Sequence, residues 1–177
     1  MNWANRITIV RIILVPVFIT AVLYHRLYLA LGVFALAAVT DALDGYLARV
    51  RKERTQLGRI LDPVADKMLL VSAFISLSLV SGLPDYLKMP AYVPIIVISR
   101  DAIILLGAVV IYLLTQKMEI RPTVLGKVTT FFQMMTIISL LLGFVYSNWI
   151  WNTTVVLTVL SGLDYIRIGA KQVNEKH

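Results

Sequence analysis

The chain lacks cysteine altogether, and it has only two histidines, His25 and His177. Without cysteine, a disulfide bond, a thiolate nucleophile and a cysteine metal site are all excluded. The two histidines stand far apart in the sequence, whereas zinc sites draw several ligands together, so we do not predict a zinc or haem site. We interpret His25 as a residue at the end of a span and His177 as part of the tail.

Charge is also scarce, because only 15% of the 177 residues are charged while 59% are hydrophobic, and the mean hydropathy is +0.81. A soluble domain is about 25% charged, and a transmembrane helix needs roughly 20 mostly apolar residues. Six such runs use up most of the chain. The sequence therefore predicts an all-α integral membrane protein of one domain, residues 1–177, with six transmembrane helices. The predicted spans are about 7–24, 28–48, 60–83, 91–115, 124–146 and 150–169.

The amino end does not read as a cleaved secretory signal, because the first apolar run is too long and has no small-residue cleavage site. Residues 2–11 are more polar than the rest of that run. We expect them to begin as a short helix along the membrane interface.

Lysine and arginine are unevenly placed, although the net charge is +7. They collect at the amino end, in the connections after the second and fourth spans, and in the tail. Cytoplasmic loops carry such an excess, so both termini and both basic connections are predicted to face the cytoplasm. Contact with anionic lipid headgroups is a general consequence of this placement. Nucleic-acid binding is not predicted, because no soluble basic face is available.

Four aspartates, Asp41, Asp44, Asp62 and Asp66, lie inside apolar runs, where ionised carboxylates are costly and mark functional sites. Acids three or four residues apart share one helix face. With the basic stretch around Glu53 as the turn of a hairpin, all four meet at one level, roughly 12 Å from the loop at 1.5 Å per residue. Such a cluster repels itself unless divalent cations lie within it, and oxygen ligands alone suit Mg²⁺, Mn²⁺ or Ca²⁺.

Small residues surround these acids. Gly45, Ala48 and Gly58 leave room for a nucleotide or diphosphate, or they simply allow tight helix packing. Arg49 either extends to the interface or pairs with a phosphate. Asp62-Pro63 has an alternative interpretation as a helix N-cap followed by proline at the first helical position. That alternative explains Asp62 alone and leaves the other three acids unexplained.

The string D-x2-D-G-x2-A-R-x8-G-x3-D-x3-D is fully present from Asp41 to Asp66, and it resembles the signature of the CDP-alcohol phosphatidyltransferases. The resemblance implies that family's six-span fold over the whole chain, a pair of divalent cations (Mg²⁺ or Mn²⁺), and commonly a homodimer. It also implies transfer of a phosphatidyl group from CDP-diacylglycerol to an alcohol, with release of CMP. By the same resemblance, Asp66 is the general base as well as a metal ligand. The implied metal ligands are Asp41, Asp44, Asp62 and Asp66, and the implied CDP-diacylglycerol-binding residues are Asp41, Asp44, Gly45, Ala48, Arg49, Gly58 and Asp62.

The acceptor alcohol is indicated by weaker signals. Two stretches, Gly126-Lys127-x-x-Thr130-x-x-Gln133 and Asn2-x-x-Asn5-x-x-Thr8-x-x-Arg11, resemble segments of bacterial phosphatidylglycerophosphate synthases and favour sn-glycerol 3-phosphate. Pro122 upstream predicts that Lys127 lies in the first turns of the fifth helix, where an anion is favoured. The predicted acceptor-phosphate-binding residues are Arg59, Lys67, Arg100, Arg121 and Lys127.

Alternatives remain open at this stage. Arg100, a charge within the fourth span, could form a pair confined to Asp101 and its neighbours instead of a phosphate site. The acceptor could be serine, inositol phosphate or phosphatidylglycerol. A cation transporter would also use buried acids, but transporter sites tend to lie near the midplane between repeats. The sequence shows no repeat, and only two adjacent spans supply the acids.

Overall fold

A computed structural model describes the backbone of residues 3–51, 56–115 and 123–174, and the side chains of residues 9–40, 67–107, 109 and 123–169. Every secondary-structure element within these ranges is helical, which confirms the all-α part of the predicted fold class. A short 3₁₀ turn, Asp85–Leu87, lies in the connection between the third and fourth α-helices. The α-helices are α1 (Trp3–Leu23), α2 (Leu27–Arg51), α3 (Gln56–Leu79), α4 (Tyr92–Thr115), α5 (Val124–Leu141) and α6 (Ser147–Asn174).

Each predicted span corresponds to one of these helices, but the ends differ. The helices α2, α3 and α6 continue into polar sequence beyond the apolar runs, because a helix does not need an apolar environment to keep its internal hydrogen bonds. Residues 3–11 belong to the same continuous helix as the rest of α1, so they do not form a separate interfacial helix. No proline or glycine interrupts that stretch.

The count of six membrane spans is not confirmed. Within the described residues, two segments, Asp85–Gly107 and Val124–Leu141, are long and apolar enough to cross a membrane. The apolar segments Ile9–Leu23, Leu27–Thr40 and Lys67–Leu79 are shorter.

The N-cap interpretation of Asp62-Pro63 is wrong, because α3 begins at Gln56 and both residues lie within it. Proline has no amide hydrogen, so Pro63 interrupts the backbone hydrogen-bond ladder of the helix instead of starting it. Asp62 is therefore left without a capping role to explain it.

The turn between α1 and α2 fixes the position of His25, which has a φ of +55°. The amide of Arg26 donates to the carbonyl of Ala21 at 2.8 Å, and the amide of His25 donates to that of Val22 at 3.0 Å. This pattern closes the end of α1 as a left-handed cap, a position usually held by glycine. The imidazole of His25 also packs beside Gly82, where an added methyl group would lie only 3.2 Å from Cε1.

The six helices form two groups of three. In the first group, α1 packs against both α2 and α3; in the second, α6 packs against both α4 and α5. Smaller contacts of α3 with α4 and α5, and of α2 with α5, join the groups. The sequence had suggested a hairpin of α2 and α3, and the structure adds α1 as the helix that both of them contact. The most fully buried apolar side chains include Phe18, Val22, Phe34, Phe74, Leu77, Val93, Val97, Ile137 and Leu141.

Candidate functional site

The four aspartates occupy the ends of α2 and α3 that are joined by residues 52–55. Asp41 and Asp44 lie in the last half of α2, and Asp62 and Asp66 lie in the first half of α3. Both helices contact α1. The side chains of these acids lie outside the described part of the chain, so the predicted cluster stays a prediction. The predicted roles of Gly45, Ala48, Arg49, Gly58 and Arg59 also stay predictions, because the surroundings of these residues lie outside the described part. Arg121 lies outside it altogether.

The described part of the site begins at Lys67, the residue that follows Asp66 on α3. Its Nζ donates to Oδ2 of Asp101, on α4, at 2.5 Å. The other oxygen of that carboxylate, Oδ1, accepts a hydrogen bond from Nη1 of Arg100 at 2.9 Å. The side chains of Asp101 and Arg100 are each 8% exposed, whereas that of Lys67 is 43% exposed. One buried carboxylate thus joins two of the predicted phosphate-binding residues.

Arg100 is held on its other side by α6. Its Nη2 donates to Oγ of Ser161 at 2.5 Å. Its guanidinium carbon lies 5.5 Å from the centre of the Tyr165 ring, within the range of a cation–π contact. Among the described residues, no acceptor lies within hydrogen-bond distance of Nε. All the described contacts of Arg100 are thus made within the protein, to Asp101 and to neighbouring residues of α6, which is what the alternative interpretation of this residue predicted. Its role in binding a phosphate stays a prediction.

The amino end of α5 completes this neighbourhood. The Thr123 hydroxyl caps the helix by accepting from the amide of Gly126 at 3.0 Å, and the Thr123 amide donates to the Tyr165 hydroxyl at 3.3 Å. A methyl group at Gly126 would lie 3.2 Å from Nη2 of Arg100. Lys127 follows in the same turn with an exposed side chain, so its predicted place in the first turns of the fifth helix is confirmed.

We call Lys67, Arg100 and Lys127 the cation cluster, because Lys67 and Arg100 share Asp101 and Lys127 directly follows Gly126, which lies against Arg100. Its members come from α3, α4 and α5, and Asp101 offsets one positive charge of the Lys67–Arg100 pair. Buried charges are tolerated only when they are paired and hydrogen-bonded. Because Asp101 carries one negative charge against the two positive charges of Lys67 and Arg100, the cluster keeps net positive charge for an anion.

Sequence reasoning did not identify several polar residues of the interior. Asp101 was considered only as a neighbour of Arg100, and Ser161 and Tyr165 were not considered. Arg11, which is 1% exposed and engaged within the protein, was noted as a basic residue of the amino end and as part of a short motif. Gln133, which is 0% exposed, was noted only as part of a short motif. Polar side chains standing alone in apolar runs are the signal that could have found them.

An apolar cavity of about 490 Å³ lies elsewhere, beside the turn between α1 and α2. Its lining includes Pro16, Thr20, Tyr24, Arg26 and Leu29. These residues are at the opposite ends of α1 and α2 from the acid-bearing segment, so this cavity is separate from the predicted site.

Comparison with known proteins shows the family to which the chain belongs. The family model for CDP-alcohol phosphatidyltransferase matches residues 1–160. A probable phosphatidylglycerophosphate synthase of Mycobacterium tuberculosis is 33% identical over 93% of this chain and 80% of its own. A CDP-diacylglycerol–glycerol-3-phosphate 3-phosphatidyltransferase of Aquifex aeolicus is 28% identical over 98% of both chains. The human CMP-forming cardiolipin synthase is 30% identical over 96% of this chain and 62% of its own. The chain belongs to the CDP-alcohol phosphatidyltransferase family.

Proposed function

We propose that this protein transfers the phosphatidyl group of CDP-diacylglycerol to sn-glycerol 3-phosphate, giving phosphatidylglycerophosphate and CMP. The observation that carries the proposal is the complete acid signature on α2 and α3, beside a cluster of cations suited to a phosphate-bearing acceptor. The names of the bacterial relatives support the same donor and acceptor. The reaction belongs to phospholipid biosynthesis in the membrane.

Asp41, Asp44, Asp62 and Asp66 would hold two divalent cations, Mg²⁺ or Mn²⁺. The donor set fits these ions, because carboxylate oxygen is the ligand that hard cations prefer. When bound, the cations supply neutralisation of the negative charge on the diphosphate and the leaving group. Gly45, Ala48, Arg49 and Gly58 would contact the CDP-diacylglycerol, since small side chains leave room for the nucleotide and arginine pairs with phosphate.

The transfer would be a direct displacement. The acceptor hydroxyl attacks the phosphorus that carries the lipid, the bond from that phosphorus to the CMP oxygen breaks, and Asp66 takes the hydroxyl proton. Phosphoryl-type transfer depends on positioning and on electrostatic stabilisation more than on covalent participation by the protein. A carboxylate within roughly 3 Å of the hydroxyl suffices as the base.

The phosphate of the acceptor would bind at the cation cluster. Lys67 directly follows the proposed base, and Arg100 is fixed next to it through Asp101. Lys127 lies in the first turn of α5, where the positive end of the helix dipole favours an anion. Arg59 and Arg121 remain candidates from the sequence.

Lys127 offers a direct test of the phosphate site, because its side chain is exposed and its loss should not disturb packing. We expect Lys127→Ala to raise the KM for glycerol 3-phosphate about tenfold, as loss of a hydrogen bond to a charged group would. Lys88→Ala is the matched control, because Lys88 pairs with Asp85 in the connection between α3 and α4. An unchanged KM in Lys127→Ala removes this residue from the site.

Phosphatidylglycerol is the second candidate acceptor, because a cardiolipin synthase is also similar to this chain. Serine and inositol phosphate follow from the family alone. Purified protein with CDP-diacylglycerol and Mg²⁺ or Mn²⁺ should release CMP with glycerol 3-phosphate and not with the other three. If CMP is released with phosphatidylglycerol or serine and not with glycerol 3-phosphate, that compound is the acceptor and the proposed acceptor is wrong. Metal flux into liposomes without donor lipid would revive the transporter interpretation.

In the membrane, we propose one domain of six spans, residues 1–177, with both termini and the active site on the cytoplasmic side of the cell membrane. The concentration of lysine and arginine in alternate connections supports this orientation. We also propose a homodimer, as the family resemblance implies. Accessibility of cysteines introduced singly near each end to a membrane-impermeant reagent would test the orientation.

A further inference from the structure

We infer that Asp101 and Ser161 are positioning residues. They hold the side chains of Lys67 and Arg100 in the places where these can bind the phosphate of the acceptor. The inference rests on the proposed function, and it concerns residues that lie outside the acid signature. Asp101 and Ser161 would not touch the substrate. They would act through the two cations that they bind.

The first observation is the position of Asp101 between the cations. Its two oxygens are divided between Lys67 and Arg100, at 2.5 Å and 2.9 Å. Without the carboxylate, two positive groups from α3 and α4 would repel each other at short range, and the buried Arg100 would lose its counter-ion. Asp101 therefore keeps two cations at a spacing that they would not hold alone.

The second observation is that the Arg100 side chain is held by more contacts than the Lys67 side chain. Arg100 is 8% exposed, and the Asp101 carboxylate, the Ser161 hydroxyl and the Tyr165 ring hold it from different directions. Lys67 is 43% exposed and has Asp101 as its described partner. Arg100 is thus the rigid donor, and Lys67 is the donor that can move to an arriving phosphate while Asp101 limits its range. A rigid, pre-oriented donor binds an anion without a further ordering cost.

The third observation is the lack of free space beside Arg100. A methyl group at Gly126 would lie 3.2 Å from Nη2 of Arg100, 3.2 Å from the Thr123 hydroxyl and 3.3 Å from the Tyr165 ring. These contacts are too tight for a carbon that is held on three sides. At Gly162, the nearest atom of Arg100 would be the aliphatic Cγ at 3.5 Å, an ordinary contact. The position of the Arg100 guanidinium therefore requires glycine, with no Cβ, at residue 126, whereas residue 162 has room for a methyl group.

The test compares the KM for glycerol 3-phosphate with kcat and with the KM for CDP-diacylglycerol in the purified full-length protein. We expect Asp101→Asn to raise the acceptor KM about tenfold or more, the size of one lost hydrogen bond between charged groups. The other two constants should change less than about twofold. Asp101→Glu keeps the charge and should recover part of the affinity. A purely structural role would lower kcat or the yield of folded protein and would not select one substrate.

Ser161→Ala removes one Arg100 contact without changing any charge, and it decides the question if Asp101→Asn does not fold. Its matched control is Thr158→Val, one turn earlier on α6, because the Thr158 hydroxyl donates to the carbonyl of Thr154 within the helix. We expect a several-fold rise in acceptor KM for Ser161→Ala and for Gly126→Ala, and none for Thr158→Val or Gly162→Ala.

The outcomes separate this inference from the proposed function. If the unaltered protein releases no CMP with glycerol 3-phosphate but does so with an acceptor that has no phosphate, both fail. If it uses glycerol 3-phosphate and Asp101→Asn and Ser161→Ala keep its acceptor KM, the positioning inference alone fails. Equal loss of affinity for both substrates in these variants would also overturn it, because the effect would then not be specific to the acceptor phosphate.

Discussion

Helices α1–α3 bury mostly apolar side chains, among them Phe18, Phe34 and Phe74, together with Arg11 and Ser76, whereas α5 and α6 meet through threonines. The Thr136 and Thr154 hydroxyls lie 2.8 Å apart, and the Thr129 hydroxyl reaches the carbonyl of Leu157 at 3.2 Å. The buried polar side chains of the described residues follow the same division, since most of them belong to α5 and α6.

The difference shows two ways of holding helices together where lipid replaces water. Lipid tails are as apolar as leucine, so helix association depends on close packing or on hydrogen bonds between helices. The first group uses packing, including a tilted Phe18–Phe34 pair with ring centres 6.1 Å apart. The second group uses hydroxyls, which bond to the helix backbone and across the interface.

Thr154, Thr158 and Ser161 on α6 form what we call the hydroxyl row, and its last member bonds to Arg100 of the cation cluster. Thr154, Thr158 and Ser161 are spaced by four and three residues on α6, so they share one helix face. The hydroxyls of the first two donate to backbone carbonyls of α6, that of Thr154 also reaches α5, and the hydroxyl of Ser161 accepts from Arg100. Packing in the second group and the proposed phosphate site therefore use one stripe of α6. In the first group, the four acids of the signature are the candidates for chemistry.

The largest expected effect follows from assigning the chemistry to the first group. Asp66→Asn should lower kcat by about 10²–10⁴, the contribution usual for a general base, at every concentration of acceptor. The thermal midpoint in detergent and the helix content by circular dichroism should stay those of the unaltered protein. Near-normal turnover would show that Asp66 is not the base. The assignment of the chemistry to the first group of helices would then have no support.

The helices and the position of the acid signature could be predicted from the sequence, because apolar runs specify helices and the signature is local. The runs placed α1–α6, and the spacing from Asp41 to Asp66 indicated the family. Residue type also selected Lys67 and Arg100 as phosphate binders. These predictions rest on composition and on spacing within one or two neighbouring helices.

The remainder depends on tertiary contacts that a single sequence does not encode visibly. Lys67 and Asp101 are 34 residues apart, and Arg100 and Ser161 are 61 residues apart. Neither periodicity nor motif spacing pairs residues at such a distance. The position of α1 between α2 and α3 was missed for the same reason. The start of α3 at Gln56 was missed because the predicted span began with the apolar run, near residue 60, and the helix continues beyond that run. The alternative that Asp62 caps a helix failed because Pro63 lies inside α3.

The packing comparison can be tested next at Phe34, which is 1% exposed on α2. Phe34→Ala should lower the free energy of unfolding by about 2–3 kcal/mol, less than in a water-soluble core, because in lipid the cavity accounts for most of the loss. Leu36→Ala, on the same helix but 52% exposed, is the control and should have little effect. Denaturant titration in mixed micelles measures both. Equal losses would mean that the first group is not held by its apolar interior.

The smallest effect is expected at the hydroxyls of the second group. Thr136→Val keeps the shape of the side chain but removes its interhelical bond to Thr154, and it should cost about 0.6 kcal/mol, the average for hydrogen bonds between membrane helices. Thr153→Val is the control, because the exposed Thr153 hydroxyl bonds only within α6, to the carbonyl of Trp149 at 2.8 Å. Weak hydrogen bonds can hold α5 to α6 only if each of them contributes to stability. If Thr136→Val and Thr153→Val are equally stable, close packing of the two backbones, and not hydrogen bonding, holds this interface. The hydroxyl row would then matter at Ser161, through Arg100, and not as a means of helix association.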